Sequence, residues 1–78
     1  MNEEITWGDT VKISPNAPAE YRPEEVAAVC GIRIVSGPEE VKATGVPDGT
    51  KLYLVEFGDG NSQEIPEYLI SKIGDTTV

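Results

Sequence analysis

One hairpin signal constrains the fold of this chain more than any other feature. Residues 51–57 read K-L-Y-L-V-E-F, a run of β-forming residues that is apolar on both faces. The residues G-D-G-N follow directly at 58–61, and Gly58 interrupts the strand pattern. An Asp-Gly pair between two strand patterns favours a tight turn, whose central residues adopt positive φ that Gly and Asn tolerate. The sequence predicts a central strand at 51–57, a turn shaped by Gly58, Gly60 and Asn61, and a returning strand at 62–65.

Two more strands are expected earlier in the chain. Val11 and Ile13 alternate with polar residues and predict a first strand over about 10–14, with Trp7 packed beneath it. The segment V-A-A-V-C-G-I-R-I-V predicts one bent strand over 27–36, because its second half is rich in β-branched residues.

Gly31 is the predicted bend of that second strand, since a glycine inside a strand often marks an irregularity. A short helix over 23–30 is the alternative. Pro23 suits a first helical turn, Glu24 and Glu25 suit a helix N-terminus, and Gly31 suits a C-cap.

The connections are also informative. Three prolines fall within 15–23 and predict a long ordered loop, because proline lacks the N–H that regular pairing needs. Residues 36–49 hold three glycines and two prolines and are predicted to be a flexible connection. Pro66 is expected to start a single helical turn over 67–69, after which 71–73 form a short last strand.

The length of 78 residues indicates one domain over 1–78, with a core at about 8–73 and loose tails at 1–4 and 74–78. The single cysteine, Cys30, excludes an intrachain disulfide and is expected to be a buried, inert thiol in an apolar strand.

A chain without histidine lacks the usual activating base. We therefore expect no enzyme, no cofactor and no metal site. The start of the chain resembles no targeting signal, and no segment approaches the roughly 20 apolar residues that span a bilayer, so a cytoplasmic protein is expected.

The order of these elements and their residues resembles the SH3-like small barrels. The resemblance covers roughly 8–73 and rests on G-D-T-V-K-I at the first strand, Y-L-V-E-F-G-D-G at the hairpin and I-P-E-Y-L-I at the closing turn. It implies an all-β, five-stranded SH3-like small barrel with a long proline-containing first loop and one short helical turn before the last strand. The Tudor, KOW and nitrile-hydratase-β types of barrel are more similar than signalling SH3 domains, whose hairpin aromatics are missing here.

One site prediction and one further sequence similarity accompany that resemblance. A Tudor-type aromatic cage for a methylated Lys or Arg requires several converging rings beside an acidic residue, and one alternative assembles it from Trp7, Tyr21, Tyr53, Phe57 and Tyr68 with Asp59. The segment R-P-E-E-V-A-A-V-C-G-I is similar to the entry to the second strand of nitrile-hydratase-like subunits, with Glu25 where a glycine is expected.

Acidic residues surround the hairpin and suggest a binding surface. The chain has 14 Asp and Glu against 6 Lys and Arg, a net charge of -8, which disfavours nucleic acid and anionic membranes as ligands. Candidate binding residues are Tyr21, Glu56, Asp59, Glu64, Glu67 and Tyr68. The four carboxylates are interpreted either as solvated surface or as an acidic rim beside Tyr68 that anchors a basic protein.

The predicted function is that of a small acidic, non-catalytic protein-interaction module or accessory subunit that docks a basic protein partner. It is expected to act as a monomer or as a subunit of a complex. One alternative is a toxin-neutralising immunity or inhibitor protein, because an acidic surface suits the masking of a cationic nuclease cleft. Another, implied by the nitrile-hydratase-like resemblance, is an accessory barrel of a metalloenzyme or redox complex.

Overall fold

The computed structural model describes residues 5–73, so the predicted tails at 1–4 and 74–78 lie outside the described residues. The elements in chain order are β1 (Thr10–Ile13), a first 3₁₀ turn (Ala19–Tyr21), β2 (Val26–Ile34), α1 (Pro38–Thr44), β3 (Lys51–Phe57), β4 (Ser62–Pro66), a second 3₁₀ turn (Glu67–Leu69) and β5 (Ile70–Lys72).

The five strands form one antiparallel sheet in the order β4-β3-β2-β1-β5. The predicted all-β class with five strands is confirmed, as are the helical turn before β5 and the choice of strand over helix at 23–30. The predicted barrel closure is not found, because within residues 5–73 the two edge strands β4 and β5 do not pair. The second 3₁₀ turn leads directly into the three-residue strand β5, which pairs with β1. At the end of this turn, Leu69 O accepts a hydrogen bond from Ser14 N at 2.8 Å.

The main core lies on one face of this sheet, where alternate residues of neighbouring strands point inward. Its buried members are Val11, Ile13, Ala17, Ala27, Val29, Tyr53, Val55, Phe57 and Ile65, with Leu69 and Ile70 packed against them. Phe57 and Ile65 are almost wholly buried in this core, and Leu69 is partly buried against it. Removal of this apolar surface from water stabilises the fold, which matters here because small domains bury a smaller fraction of their surface than large ones.

Strand β2 bends at a bulge. Val29 pairs with Val55 while Gly31 pairs with Leu54, so Cys30 is an extra residue in the ladder. A Cβ at Gly31 would lie 3.2 Å from the Leu54 Cβ, a tight contact that Leu54 would have to shift to relieve, so the paired strands favour a glycine there. The expectation that Cys30 is buried is wrong: Val29 points into the core, and the next residue is therefore exposed.

The β3–β4 hairpin has the predicted strands but a different turn geometry. Gly60 N donates to Phe57 O at 2.9 Å and Phe57 N donates to Asn61 O at 2.8 Å, which closes a three-residue loop. Gly60 has a φ of 91°, whereas Gly58 and Asn61 do not adopt positive φ. Only one of the three predicted turn residues therefore uses the left-handed region.

The prediction that 36–49 is a flexible connection is wrong, because α1 occupies Pro38–Thr44. Pro38 lies in the first helical turn, and Gly45 ends the helix in a left-handed conformation, its N–H donating to Val41 O at 2.8 Å. A second, smaller core holds the helix in place, formed by Val35, Val46 and Leu52 with Val41 packed against them.

Trp7 is 65% exposed, so the expectation that it packs beneath β1 is wrong. Thr6 N donates to an Asp9 carboxylate oxygen at 2.9 Å, and Asp9 N donates to Thr6 O at 3.1 Å. This tight turn directs the intervening Trp7 towards solvent.

The start of the closing turn is buried. Pro66 ends β4 with φ −62° and ψ 147° and lies in the core, immediately before the second 3₁₀ turn. In residues 5–73 no helix has the length and apolar character needed to cross a membrane.

Candidate functional site

The first 3₁₀ turn presents Tyr21 beside β4. Gln63 Nε2 donates a hydrogen bond to Glu20 O at 2.7 Å, which ties the turn to the edge strand. Tyr21 itself is half-buried against the main core. Burial raises the pKa of the Tyr21 hydroxyl, and the nearby Glu20 and Tyr68 raise it further. Contacts with β4 and with the main core therefore fix the position of Tyr21 in the proline-containing loop.

Arg22 joins that loop to the hairpin tip. Its guanidinium lies 4.1 Å from the centre of the Phe57 ring, a cation–π arrangement. Its Nη2 is 2.9 Å from an oxygen of Asp59 and 2.9 Å from an oxygen of Glu25. Hydrogen bonds from Arg22 and from Asn61 N lower the pKa of Asp59. The predicted binding residue Asp59 is thus engaged within the protein.

Arg33 neutralises a second carboxylate of the predicted rim. Arg33 Nε and Nη2 lie 2.7 and 3.0 Å from the two oxygens of Glu64, a bidentate geometry. The Nη1 of the same side chain lies 3.4 Å from Glu40 on α1. Hydrogen bonding from Arg33 lowers the pKa of Glu64.

The other two rim carboxylates are far apart. Glu56 is exposed near the hairpin end of β3, whereas the Glu67 carboxylate accepts a hydrogen bond from Lys51 N at 3.1 Å at the opposite end. Glu56 lies five positions along the strand from Lys51, which corresponds to roughly 17 Å. The structure therefore does not bring Glu56, Asp59, Glu64 and Glu67 into one rim.

Two tyrosines and two carboxylates lie on the two 3₁₀ turns, and we call this set the tyrosine patch: Glu20, Tyr21, Glu67 and Tyr68. Tyr68 is 61% exposed on the second 3₁₀ turn, and it lies close enough to Tyr21 to raise the pKa of that hydroxyl. Glu20 and Glu67 precede the two tyrosines in sequence, and no salt bridge engages either carboxylate in the described part of the chain. The patch combines aromatic surface with uncompensated negative charge.

A groove of about 320 Å³ adjoins this patch. Its lining includes Tyr21, Arg33, Ala43, Val46, Leu52 and Glu64. Sequence reasoning missed the groove because one wall belongs to α1, which was interpreted as a flexible connection. The Pro38 and Gly45 helix boundaries were the available signal for that wall.

The aromatic-cage alternative does not fit the structure. Tyr53 and Phe57 are 4% and 3% exposed and belong to the main core, so their faces are not available to a ligand. Within residues 5–73, no three acidic or cysteine side chains converge as a metal site would require.

No family model matches the sequence, and the comparisons with curated proteins and with solved structures give no match either. The resemblance to SH3-like barrels therefore depends on the sequence motifs quoted above.

Proposed function

We propose that this protein is a non-catalytic interaction module that docks a basic protein segment on the tyrosine patch. The observation that carries the proposal is the exposed Tyr68, which lies close enough to Tyr21 to raise the pKa of its hydroxyl. The carboxylates that precede the two tyrosines in sequence, Glu20 and Glu67, form no salt bridge within residues 5–73. A Lys or Arg side chain placed over a tyrosine ring gains cation–π attraction, and adjacent carboxylates add charge pairing.

The distribution of the positive charges supports the same proposal. Both arginines are committed to ion pairs inside the protein, and Lys72 lies 3.5 Å from Asp9. With a net charge of -8, the remaining surface attracts cations over the distance at which salt screening acts, about 10 Å at 0.1 M ionic strength. A basic partner is therefore steered towards the molecule before it contacts the patch.

The proposal is tested by the dissociation constant of an amidated pentalysine peptide, measured by calorimetric titration at low ionic strength. Glu20→Lys is expected to weaken binding about three- to fivefold, and Tyr68→Ala by a similar factor, because exposed charge pairs and cation–π contacts contribute about 0.5–1 kcal/mol each.

Glu39→Lys is the matched control for Glu20→Lys. It makes the same change of net charge on the exposed first turn of α1, where Glu39 has no salt bridge to another described residue. Equal weakening by the two substitutions would reduce the interaction to general electrostatic attraction and would refute the patch as the docking site.

A further inference from the structure

Strand β4 forms one edge of the sheet. It pairs with β3 and, within residues 5–73, with no other strand. An edge strand carries main-chain N–H and C=O groups that point away from its partner, and these groups can bind a further extended chain. The register of β4 against β3 determines which residues of β4 carry them.

The hairpin fixes that register. Phe57 N donates to Asn61 O, and antiparallel pairing alternates between residues that exchange hydrogen bonds with the partner strand and residues that do not. Gln63 is therefore bonded to β3, whereas the main-chain groups of Ser62 and Glu64 point outward. No turn, loop or capping hydrogen bond of residues 5–73 involves either main chain. Each of the two residues thus offers one donor and one acceptor at the edge.

The groove beside the tyrosine patch opens at this edge. Leu52 and Tyr53 are consecutive residues of β3 and point to opposite faces of the sheet, the first into the small core beside α1 and the second into the main core. Tyr21 packs on the main core and Ala43 belongs to α1, yet both line the groove. A groove lined from both faces lies at a free edge, and Glu64 of β4 is part of its lining.

Both turns of the tyrosine patch adjoin the same strand. Gln63 Nε2 donates to Glu20 O on the first 3₁₀ turn, and the second 3₁₀ turn begins directly after Pro66, the last residue of β4. Pro66 has no N–H, so the donors of this edge end before the second turn. A chain that paired with β4 would therefore lie next to both turns.

The charge of the protein identifies the occupant of this edge. A second copy would bring another net charge of -8 and another Glu64 to the edge, and like-charge repulsion disfavours that pairing. A segment rich in Lys or Arg is attracted instead. Alternate side chains of an added strand would point to the face of the main core, towards Glu20, which forms no salt bridge within residues 5–73.

We infer that the basic partner binds as an added β-strand whose main chain hydrogen-bonds to Ser62 and Glu64 at the free edge of β4. This inference rests on the proposed function, which supplies the charge of the partner. It specifies the conformation of the docked segment, an extended run of about three residues or more, because the two bonding residues of β4 are two positions apart. Main-chain pairing then adds to the affinity that charge alone supplies.

Two peptides of identical charge test the inference, pentalysine and an analogue methylated at its three central main-chain nitrogens, both acetylated and amidated. They are titrated separately into the full chain under identical conditions. The analogue is expected to bind about tenfold more weakly, because it lacks the donors that would bind Ser62 O and Glu64 O.

Hydrogen exchange of the edge amides gives a second readout. At a free pentalysine concentration about ten times its dissociation constant, the amides of Ser62 and Glu64 are expected to exchange about tenfold more slowly, because the unbound fraction alone exchanges. The amide of Gln63, which is already bonded to β3, is expected to change less.

A pair of variants tests the same edge from the side of the protein. Ser62→Pro removes an outward-pointing N–H and places a ring at the edge, so it is expected to weaken pentalysine binding about fivefold. Ser62→Ala is the matched control, because it removes the same hydroxyl and keeps the N–H. Its dissociation constant is expected to equal that of the unmodified protein.

The outcomes separate the two proposals. Equal affinities of the two peptides, with unchanged exchange at Ser62 and Glu64, would overturn the added strand and leave the proposed function standing. Absence of pentalysine binding would overturn both. Slow exchange of these two amides in the peptide-free protein, together with sedimentation as a dimer, would show that a second copy occupies the edge and would overturn the inference.

Discussion

Two arginine side chains engage four of the carboxylates of this acidic protein in ion pairs. Arg22 engages Asp59 and Glu25, and Arg33 engages Glu64 and Glu40. These side chains are partly exposed, so each pair contributes modest stability. They neutralise two of the candidate carboxylates, Asp59 and Glu64, whereas Glu20 and Glu67 form no salt bridge within residues 5–73.

The ion pair between Arg33 and Glu64 predicts a particular acid sensitivity. Arg33 lowers the pKa of Glu64 in the folded protein below its unfolded value of about 4.5. The pair therefore stabilises the fold above that value, and its contribution is lost as the pH falls through the lowered, folded-state pKa. When the pH is lowered from 5 to acid values, Glu64→Gln is expected to lose less unfolding free energy than the unmodified protein, as measured by urea denaturation.

Glu39→Gln is the control for this acid titration, because it removes an exposed carboxylate for which no ion pair is found in residues 5–73. Its stability is expected to parallel that of the unmodified protein at every pH. Parallel curves for Glu64→Gln as well would show that the ion pair does not stabilise the fold.

A glycine pair in the hairpin gives a second prediction at the residue scale. Gly60 has a φ of 91° and Gly58 does not have positive φ, while a Cβ at either position meets open space. Gly60→Ala is therefore expected to lower the free energy of unfolding by about 1 kcal/mol or more through backbone strain. Gly58→Ala is expected to be neutral or slightly stabilising, and equal urea midpoints for the two variants would contradict the turn geometry.

At the scale of elements, the sheet and the helix depend on different amounts of packing. The sheet covers the main core, whereas α1 has seven residues and packs through Val41 against a core of three buried residues. A helix this short does not persist without tertiary contacts. The helix is therefore expected to be less stable than the sheet.

Hydrogen exchange tests this difference in stability. The amides of Val41 and Gly45, which donate to Gly37 O and Val41 O, are expected to exchange faster than the paired amides of β2 and β3. Val46→Ala should accelerate exchange in α1 further and leave the protection of the sheet largely unchanged. Uniform acceleration across sheet and helix would show that they unfold as one unit.

The sequence predicted elements whose signals are local. The strands, the bend at Gly31 and the closing turn after Pro66 follow from β-branched residues, glycine and proline within a few positions of one another. It failed at α1, whose stability comes from contacts with Val35 and Leu52. It also failed at Trp7, whose exposure depends on a turn closed by the Asp9 side chain.

The candidate site was harder to predict for a related reason. Arg22 and Asp59 are 37 residues apart in sequence, and Arg33 and Glu64 are 31 apart. Neither ion pair can be recognised from neighbouring residues in the sequence. The sequence therefore offered no reason to distinguish Asp59 and Glu64 from Glu67 as carboxylates that a ligand could contact. Tyr68, one of the candidate binding residues, is exposed.

At the scale of the whole molecule, an open five-stranded sheet presents a loop and a closing turn side by side on one surface. The proline-containing loop supplies Glu20 and Tyr21, and the second 3₁₀ turn supplies Glu67 and Tyr68. In the proposed function, the net charge of -8 attracts a cationic partner to both. The central claim is that this partner contacts the tyrosine patch and not the acidic hairpin tip.

The location of bound pentalysine on the isotopically labelled protein tests that claim most directly. Amide chemical-shift changes are expected to concentrate at 19–22 and 67–69, and to decrease as salt is added because screening weakens charge pairing. Changes concentrated at the hairpin tip, 58–61, would mean that the Arg22–Asp59 pair opens to admit the ligand, and would contradict the account.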